Sequence, residues 1–193
     1  MSNGDNSFRS KLTNPSNNPH NVGKDVIDLT LQFQIATLAD LPDIVAIYNE
    51  SIPNHHITAD LAPVTVSDRQ SWFDAHSPAK YPLWVIYSGP QLVGWLSLSP
   101  YSDRAGYRQT SEISLYLTLT AQGHHFGRQS LQFALEQAPQ FGFTVLISRV
   151  FGSNHASRHL FETGGFDHWG HLPRIANQAG AWEDLEVYGI QLH

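Results

Sequence analysis

The sequence predicts one α/β domain built on a mixed sheet, and three observations carry that expectation. Segments of two-residue and 3.6-residue hydrophobic period alternate along most of the 193 residues. Two strand signals flank Ser88-Gly89-Pro90 as a hairpin, and the last two strand signals also follow one another, so the strict βαβ repetition of a doubly wound sheet is missing. A turn at Gln122-Gly123-His124-His125-Phe126-Gly127-Arg128 joins a strand to a helix, where free N–H groups and the helix dipole favour a bound anion such as a phosphate.

The elements follow in order. Leu31, Phe33 and Ile35 alternate with polar residues as a strand does. Thr37 to Asp40 supply caps for a helix carrying Leu41, Ile44, Val45, Ile47 and Tyr48, which Pro53 stops. Thr65 to Ala75 reads as a second helix, with Thr65 or Ser67 as its cap and Trp72-Phe73 inward. Leu83 to Tyr87 and Leu92 to Leu98 form the hairpin, and after a long loop Glu112 to Thr118 forms the fourth strand. The glycine-containing turn then leads into a helix at Gln129 to Ala138. Thr144 to Val150 is β-branched and aliphatic, hence a strand. His155 to Thr163 is a helix ended by Gly164-Gly165, and Phe166 to Leu172 and Leu185 to Ile190 are strands around a polar loop at Arg174 to Ala181.

Bulk properties narrow the function. Hydrophobic residues at 41% and charged residues at 15% describe an ordinary soluble globule, and no apolar run approaches a membrane span. The formal charge of −6, with only Lys11, Lys24 and Lys80 as lysines, gives no basic stripe for nucleic acid. There is no cysteine, which excludes disulfides, thiolate metal sites and a cysteine nucleophile and suits a cytoplasmic protein. The eleven histidines are scattered apart from His55-His56 and His124-His125, spacings that do not place two ligands on one face, so no metal is expected. Residues 1–28, rich in asparagine, serine, proline and glycine, read as a flexible tail with Val26 to Leu29 as a segment able to dock; residues 29–193 read as the domain.

The element order and four short segments then converge. Gln122-x-x-His125-x-Gly127 matches two of three positions of a Gln/Arg-x-x-Gly-x-Gly/Ala signature, and Asn154-His155-Ala156-Ser157 followed by Gly165-Phe166 resembles an Asn-x-x-Ser…Gly-Phe segment. Both belong to the GCN5-related N-acetyltransferase (GNAT) superfamily. Ile47-Tyr48-Asn49-Glu50, Arg104 to Arg108, Glu112 to Leu117 and Trp182 to Leu185 further resemble phosphinothricin and methionine sulfoximine N-acetyltransferases. The resemblance implies the GNAT fold, a mostly antiparallel sheet splayed between strands 4 and 5, with acetyl-CoA as co-substrate and a homodimer as the assembly.

It also implies site roles. The Gln122–Arg128 turn, with Gly123, His124, His125, Phe126 and Gly127, would cradle the pyrophosphate, and the backbone of Leu115, Tyr116 and Leu117 would bond pantetheine and the oxyanion. Asn154 and Ser157 are either cofactor contacts or a helix cap. Glu112 is expected to look into the cleft as the base that deprotonates the acceptor amine. Arg104 or Arg108 would anchor an amino-acid-like substrate with Tyr107 as a wall. The acceptor is then the α-amine of a phosphinothricin, methionine sulfoximine or methionine sulfone type molecule, attacking directly in a ternary complex. The negative charge keeps a polyamine, aminoglycoside or protein amine open, and two departures keep a non-catalytic module open. His125 replaces the signature glycine, and fits if its φ is helical. Phe161 stands where relatives carry Tyr or His, so the sequence names no general acid, with His159 and Tyr188 as possible substitutes.

Overall fold

The computed structural model describes residues 30–192, so the tail reading and the Val26 to Leu29 docking segment lie outside the described residues. Seven strands form one sheet: β1 (Leu31–Ile35), β2 (Leu83–Ser88), β3 (Gln91–Pro100), β4 (Thr110–Leu117), β5 (Val145–Phe151), β6 (Asp167–Gln178) and β7 (Ala181–Gln191). Their spatial order is β1-β2-β3-β4-β5-β7-β6, antiparallel throughout except for β4 beside β5. Four helices cover the sheet: α1 (Leu41–Glu50), α2 (Val66–Asp74), α3 (Phe126–Gln137) and α4 (His155–Thr163). The predicted order of strands and helices is the observed one.

The two-residue period of β2 explains its unbroken apolar run. Trp84 and Ile86 join the cluster under α3 and α4, while Leu83 and Val85 join Ile44, Ile47 and Tyr48 of α1 on the other face. A strand covered on both sides has no polar face to show. The cap of α2 is Thr65 and not Ser67: its N–H donates to Asp68 Oδ2 (2.8 Å), and the Asp68 N–H returns to Thr65 Oγ1 (3.2 Å).

Two boundaries differ from the sequence reading. Helix α3 starts at Phe126, so the second half of the glycine-containing turn is already its first turn. The polar stretch at Arg174 to Ala181 is not a loop. Strand β6 runs to Gln178 and β7 starts at Ala181, joined by Ala179 (φ 52°) and Gly180 (φ 102°). Two left-handed central residues make a tight hairpin turn that polar composition alone does not distinguish from a longer loop.

On β7, Glu186 is buried with a side chain 9% exposed, and it receives His168 Nε2 at 2.6 Å and His171 Nδ1 at 3.0 Å. Burial pulls its carboxyl upward, yet the hydrogen bonds and charges of the two histidines outweigh burial and hold it below its ordinary value. A carboxylate depressed in the folded state adds stability above its unfolded value, near 4.3, and loses it as pH falls through the lower folded value. Glu186→Gln should therefore melt below the parent at pH 7, with the gap closing between about pH 5 and pH 3. Thermal melts across that range test this, and a gap that stays constant would contradict it.

Candidate active site

Strands β4 and β5 pair at only three positions, Thr110–Val145, Ser111–Leu146 and Glu112–Ile147. Beyond Glu112 they part. β5 stays paired with β7 as far as Phe151, and β4 stays paired with β3 from Ser111 to Leu117. The edge of β4 from Ile113 to Leu117 therefore faces a gap instead of a neighbour. A cleft of about 650 Å³ occupies that gap.

The structure brings most of the expected residues to it. Leu115, Tyr116 and Leu117 of β4, Gln122, Gly123, His125, Phe126, Gly127 and Arg128 of the turn, and Asn154 and Ser157 of α4 all line the cleft. His124 does not: it is exposed, with its ring 5.7 Å from that of Phe126. The sequence reading missed Glu50, Ser51 and Ile57, which close the cleft from the α1 side, and Thr163 of α4. No local pattern marks these residues, because α1 reaches the cleft only through the fold. Glu50 Oε2 accepts the Leu119 N–H at 2.9 Å, which ties the end of α1 to the segment entering the turn.

The turn is a cluster of donors. The first helical bond runs from the Gln129 N–H to His125 O (3.2 Å), so Phe126, Gly127 and Arg128 have no helical acceptor for their N–H groups. Gly123 has φ 80° and His125 φ 62°, both left-handed. The helical φ considered for His125 is not the one it adopts: this histidine takes a left-handed backbone that glycine adopts without cost, in a region histidine enters more readily than most residues. Gly127 needs its own absence of a side chain for a different reason, since a Cβ there would sit 3.3 Å from Leu160 of α4. Asn154 is a helix cap, its Oδ1 accepting the Ser157 N–H at 3.1 Å, and it lines the cleft as well.

Glu112 is not among the residues lining the cleft, contrary to the expected aim into it. It sits at the closed end of the gap, on the sheet face opposite its buried neighbour Ile113. There Arg149 of β5 grips it with both arms, Nε to Oε1 at 2.9 Å and Nη2 to Oε2 at 2.6 Å. Hydrogen bonding to Glu112 raises the pKa of the Arg149 guanidinium above its ordinary value, against the opposing pull of burial. Arg149 escaped the sequence reading; its only signal is a lone charge in the otherwise apolar run from Val145 to Phe151.

Arg104, Tyr107 and Arg108 lie on the exposed turn before β4, outside the cleft. Among the described residues neither Arg104 nor Arg108 has a carboxylate partner. Tyr107 packs edge-on against Tyr101 at 5.2 Å. Phe161 turns away into the core against Phe166 and Tyr188. The Tyr188 hydroxyl is engaged, donating to Glu162 at 2.7 Å and accepting from Arg158 at 3.2 Å. Of the two residues considered as substitutes for a general acid, His159 alone borders the cleft.

Comparison with known proteins agrees with this geometry. Residues 42–166 match the Acetyltransferase (GNAT) family. Bacillus subtilis YwnH, described only provisionally as a phosphinothricin acetyltransferase, is 37% identical over 84% of this chain and 99% of its own length. The L-methionine sulfoximine/L-methionine sulfone acetyltransferase of Pseudomonas paraeruginosa is 33% identical over 81% of this chain and 92% of its own. The crystal structure of a GNAT superfamily phosphinothricin acetyltransferase from Sinorhizobium meliloti, in complex with AcCoA, superposes with a TM-score of 0.79 at 26% identity, covering 84% of this chain and 89% of that one.

The left-handed backbone at residue 125 gives a direct test. His125→Val places a β-branched side chain where it is strongly disfavoured and should cost about 1–2 kcal/mol in urea denaturation. His125→Gly should stay within about 1 kcal/mol of the parent, since relief of strain offsets the greater freedom of its unfolded chain. Equal stabilities for the valine and parent proteins would refute the assigned backbone.

Proposed function

The chain belongs to the GNAT acetyltransferase family and is an acetyl-CoA-dependent acetyltransferase; from that premise we propose that its acceptor is the α-amine of a small amino-acid analogue of the phosphinothricin, methionine sulfoximine or methionine sulfone type. The observation that carries this reading is the pair Arg104 and Arg108, without a carboxylate partner among the described residues, on the turn feeding into β4 and Glu112. Free guanidiniums suit a carboxylate, a phosphinate or a sulfone oxygen. The similarity to the Pseudomonas enzyme supports the same class.

In this reading the residues divide the work. The N–H groups at the start of α3, with those of Gly123, His124 and His125, hold the pyrophosphate, and Arg128 adds charge. The unpaired edge of β4 at Leu115, Tyr116 and Leu117 accepts the pantetheine amides as an added strand and offers an N–H to the developing oxyanion. Asn154 and Ser157 border the same path. Bound acetyl-CoA supplies a thioester carbonyl open to an amine. Glu112 takes the proton of the amine before attack. The left-handed turn, its free donors and a cleft of about 650 Å³ fit such a ligand. Dependence on acetyl-CoA favours a cytoplasmic location; among the described residues no helix is long and apolar enough to cross a membrane.

Thiol release measured with phosphinothricin, methionine sulfoximine and methionine sulfone, beside spermidine and an aminoglycoside, tests the proposal. The amino-acid analogues should be the better acceptors. Glu112→Gln should lower kcat by at least about 100-fold. The double change Arg104→Ala with Arg108→Ala should lower kcat/KM for phosphinothricin about 10- to 100-fold and leave any spermidine turnover unchanged. Absence of turnover above the Glu112→Gln control on every amino-acid analogue would sink the reading.

The assembly we propose is a homodimer through the β6–β7 hairpin, which exposes Trp169 (45%), Ile175 (52%) and Trp182 (51%). Light scattering at micromolar concentration should return twice the chain mass of 21.6 kDa. A monomer mass would remove this assembly.

A further inference from the structure

The Glu112–Arg149 pair raises a difficulty for the chemistry just described. A general base needs a lone pair aimed at the proton it takes, and the Arg149 guanidinium takes one lone pair of each Glu112 oxygen and fixes the direction in which the carboxylate points. An ion pair of this kind also adds little to stability when its arginine is largely accessible to solvent: the Arg149 side chain is 54% exposed and that of Glu112 19%. Arg149 stands on the same sheet face as Glu112, since its neighbour Val150 packs into the opposite core. It reaches Glu112 across the point where β4 and β5 stop pairing.

We propose that Arg149 is the receptor for the α-carboxylate of the acceptor, and that in taking it the guanidinium releases Glu112 toward the acceptor's own ammonium group. The inference rests on the amino-acid reading of the acceptor given above. One carboxylate replaces another on the same fork, so the exchange leaves the charge at Arg149 balanced. In an α-amino acid the nitrogen and the carboxylate oxygens are about 3 Å apart, so a carboxylate held where Glu112 was held brings the ammonium within reach of the displaced Glu112. Tyr101 lies within electrostatic reach of Arg149 and packs on Tyr107, which places the turn bearing Arg104 and Arg108 on the same side of the molecule. Those arginines are then left for the polar group at the far end of the side chain, the phosphinate, sulfoximine or sulfone.

The proton and bond changes balance. The ammonium gives one proton to Glu112, and the freed amine forms an N–C bond with the thioester carbonyl. Collapse breaks the C–S bond, whose electron pair leaves with the thiolate. The second proton shed by nitrogen neutralises that thiolate, giving amide and thiol, and Glu112 returns its proton to water.

The gate is tested with methionine sulfone and its methyl ester, which differ in the carboxylate alone. On the parent enzyme kcat/KM should favour the acid. Arg149→Met should lower kcat/KM for the acid at least about 30-fold, mostly through KM, while kcat for the ester should rise, because Glu112 is no longer held. Arg149→Lys, which keeps the charge without the fork, should recover part of that loss. Glu112→Gln should depress kcat for both acceptors. Titration calorimetry without turnover gives a second readout: methionine sulfone should bind the parent more tightly than Arg149→Met, and the ester should bind both alike. If Arg149→Met does not fold, Arg149→Lys carries the same comparison between acid and ester. Equal losses on acid and ester, or no loss on either, overturn the gate while leaving the amino-acid reading intact. A parent enzyme that acetylates neither, yet turns over spermidine, removes the amino-acid reading, and the gate falls with it.

Discussion

The parting of β4 and β5 after three paired residues is the constraint on which the site depends. A strand edge left without a neighbour presents backbone N–H and C=O groups that cost about 1–3 kcal/mol each if they stay dry and unpaired. The fold does not close this edge. β5 is committed to β7 on its other side, and the tight approach of α3 to α4, permitted by Gly127 against Leu160, covers the gap from one face. From the other face α1 contributes Glu50 and Ser51, with Ile57 just beyond it. The edge is left to be satisfied by something strand-shaped that enters the cleft. The same parting sets the carboxylate Glu112, the last paired residue of β4, at the closed end of the gap.

Much of this arrangement was legible in the sequence, and the part that was not has physical reasons. Helix and strand order follow from hydrophobic period, and α4 was legible to its end residues because Asn154 caps it and Gly164-Gly165 ends it. The turn before α3 was legible because glycine and a helix start are local signals. The ion pair was not, since Glu112 and Arg149 are 37 residues apart and meet only through parallel pairing. The length of the β6–β7 hairpin was hidden by a two-residue turn whose conformation lies in φ and not in composition. The cleft face of α1 was hidden because the apolar stripe of a helix reports what it buries, not what its last turn overlooks.

The two departures from the family pattern prove different in kind. His125 takes a left-handed backbone of the kind glycine adopts freely. The ring adds a polar group at the cleft rim, and the donors of the following turn remain free. Phe161 packs into the core with Phe166 and Tyr188 and carries no proton to give. A thiol of ordinary acidity, near pKa 8.5, is nevertheless a far better leaving group than an amine. In the reading proposed above, the demanding step is therefore removal of the acceptor's proton, the task assigned there to Glu112.

Charge distribution weighs against the cationic acceptors that the net charge of −6 keeps open. Exposed charges farther away than about 8–10 Å are largely screened at physiological salt, so the local set decides. Around Glu112 the charge in direct contact is Arg149, while Arg104 and Arg108, with no acidic partner among the described residues, lie on the turn that leads into β4. In the gate proposed above, drawing Arg149 to another anion leaves Glu112 as a free negative group at the closed end of the gap. A polyamine would bring its further charges toward unpaired guanidiniums. An α-amino acid brings one positive and one negative group at the spacing of Glu112 and Arg149 themselves, and so replaces their mutual pairing with two of its own.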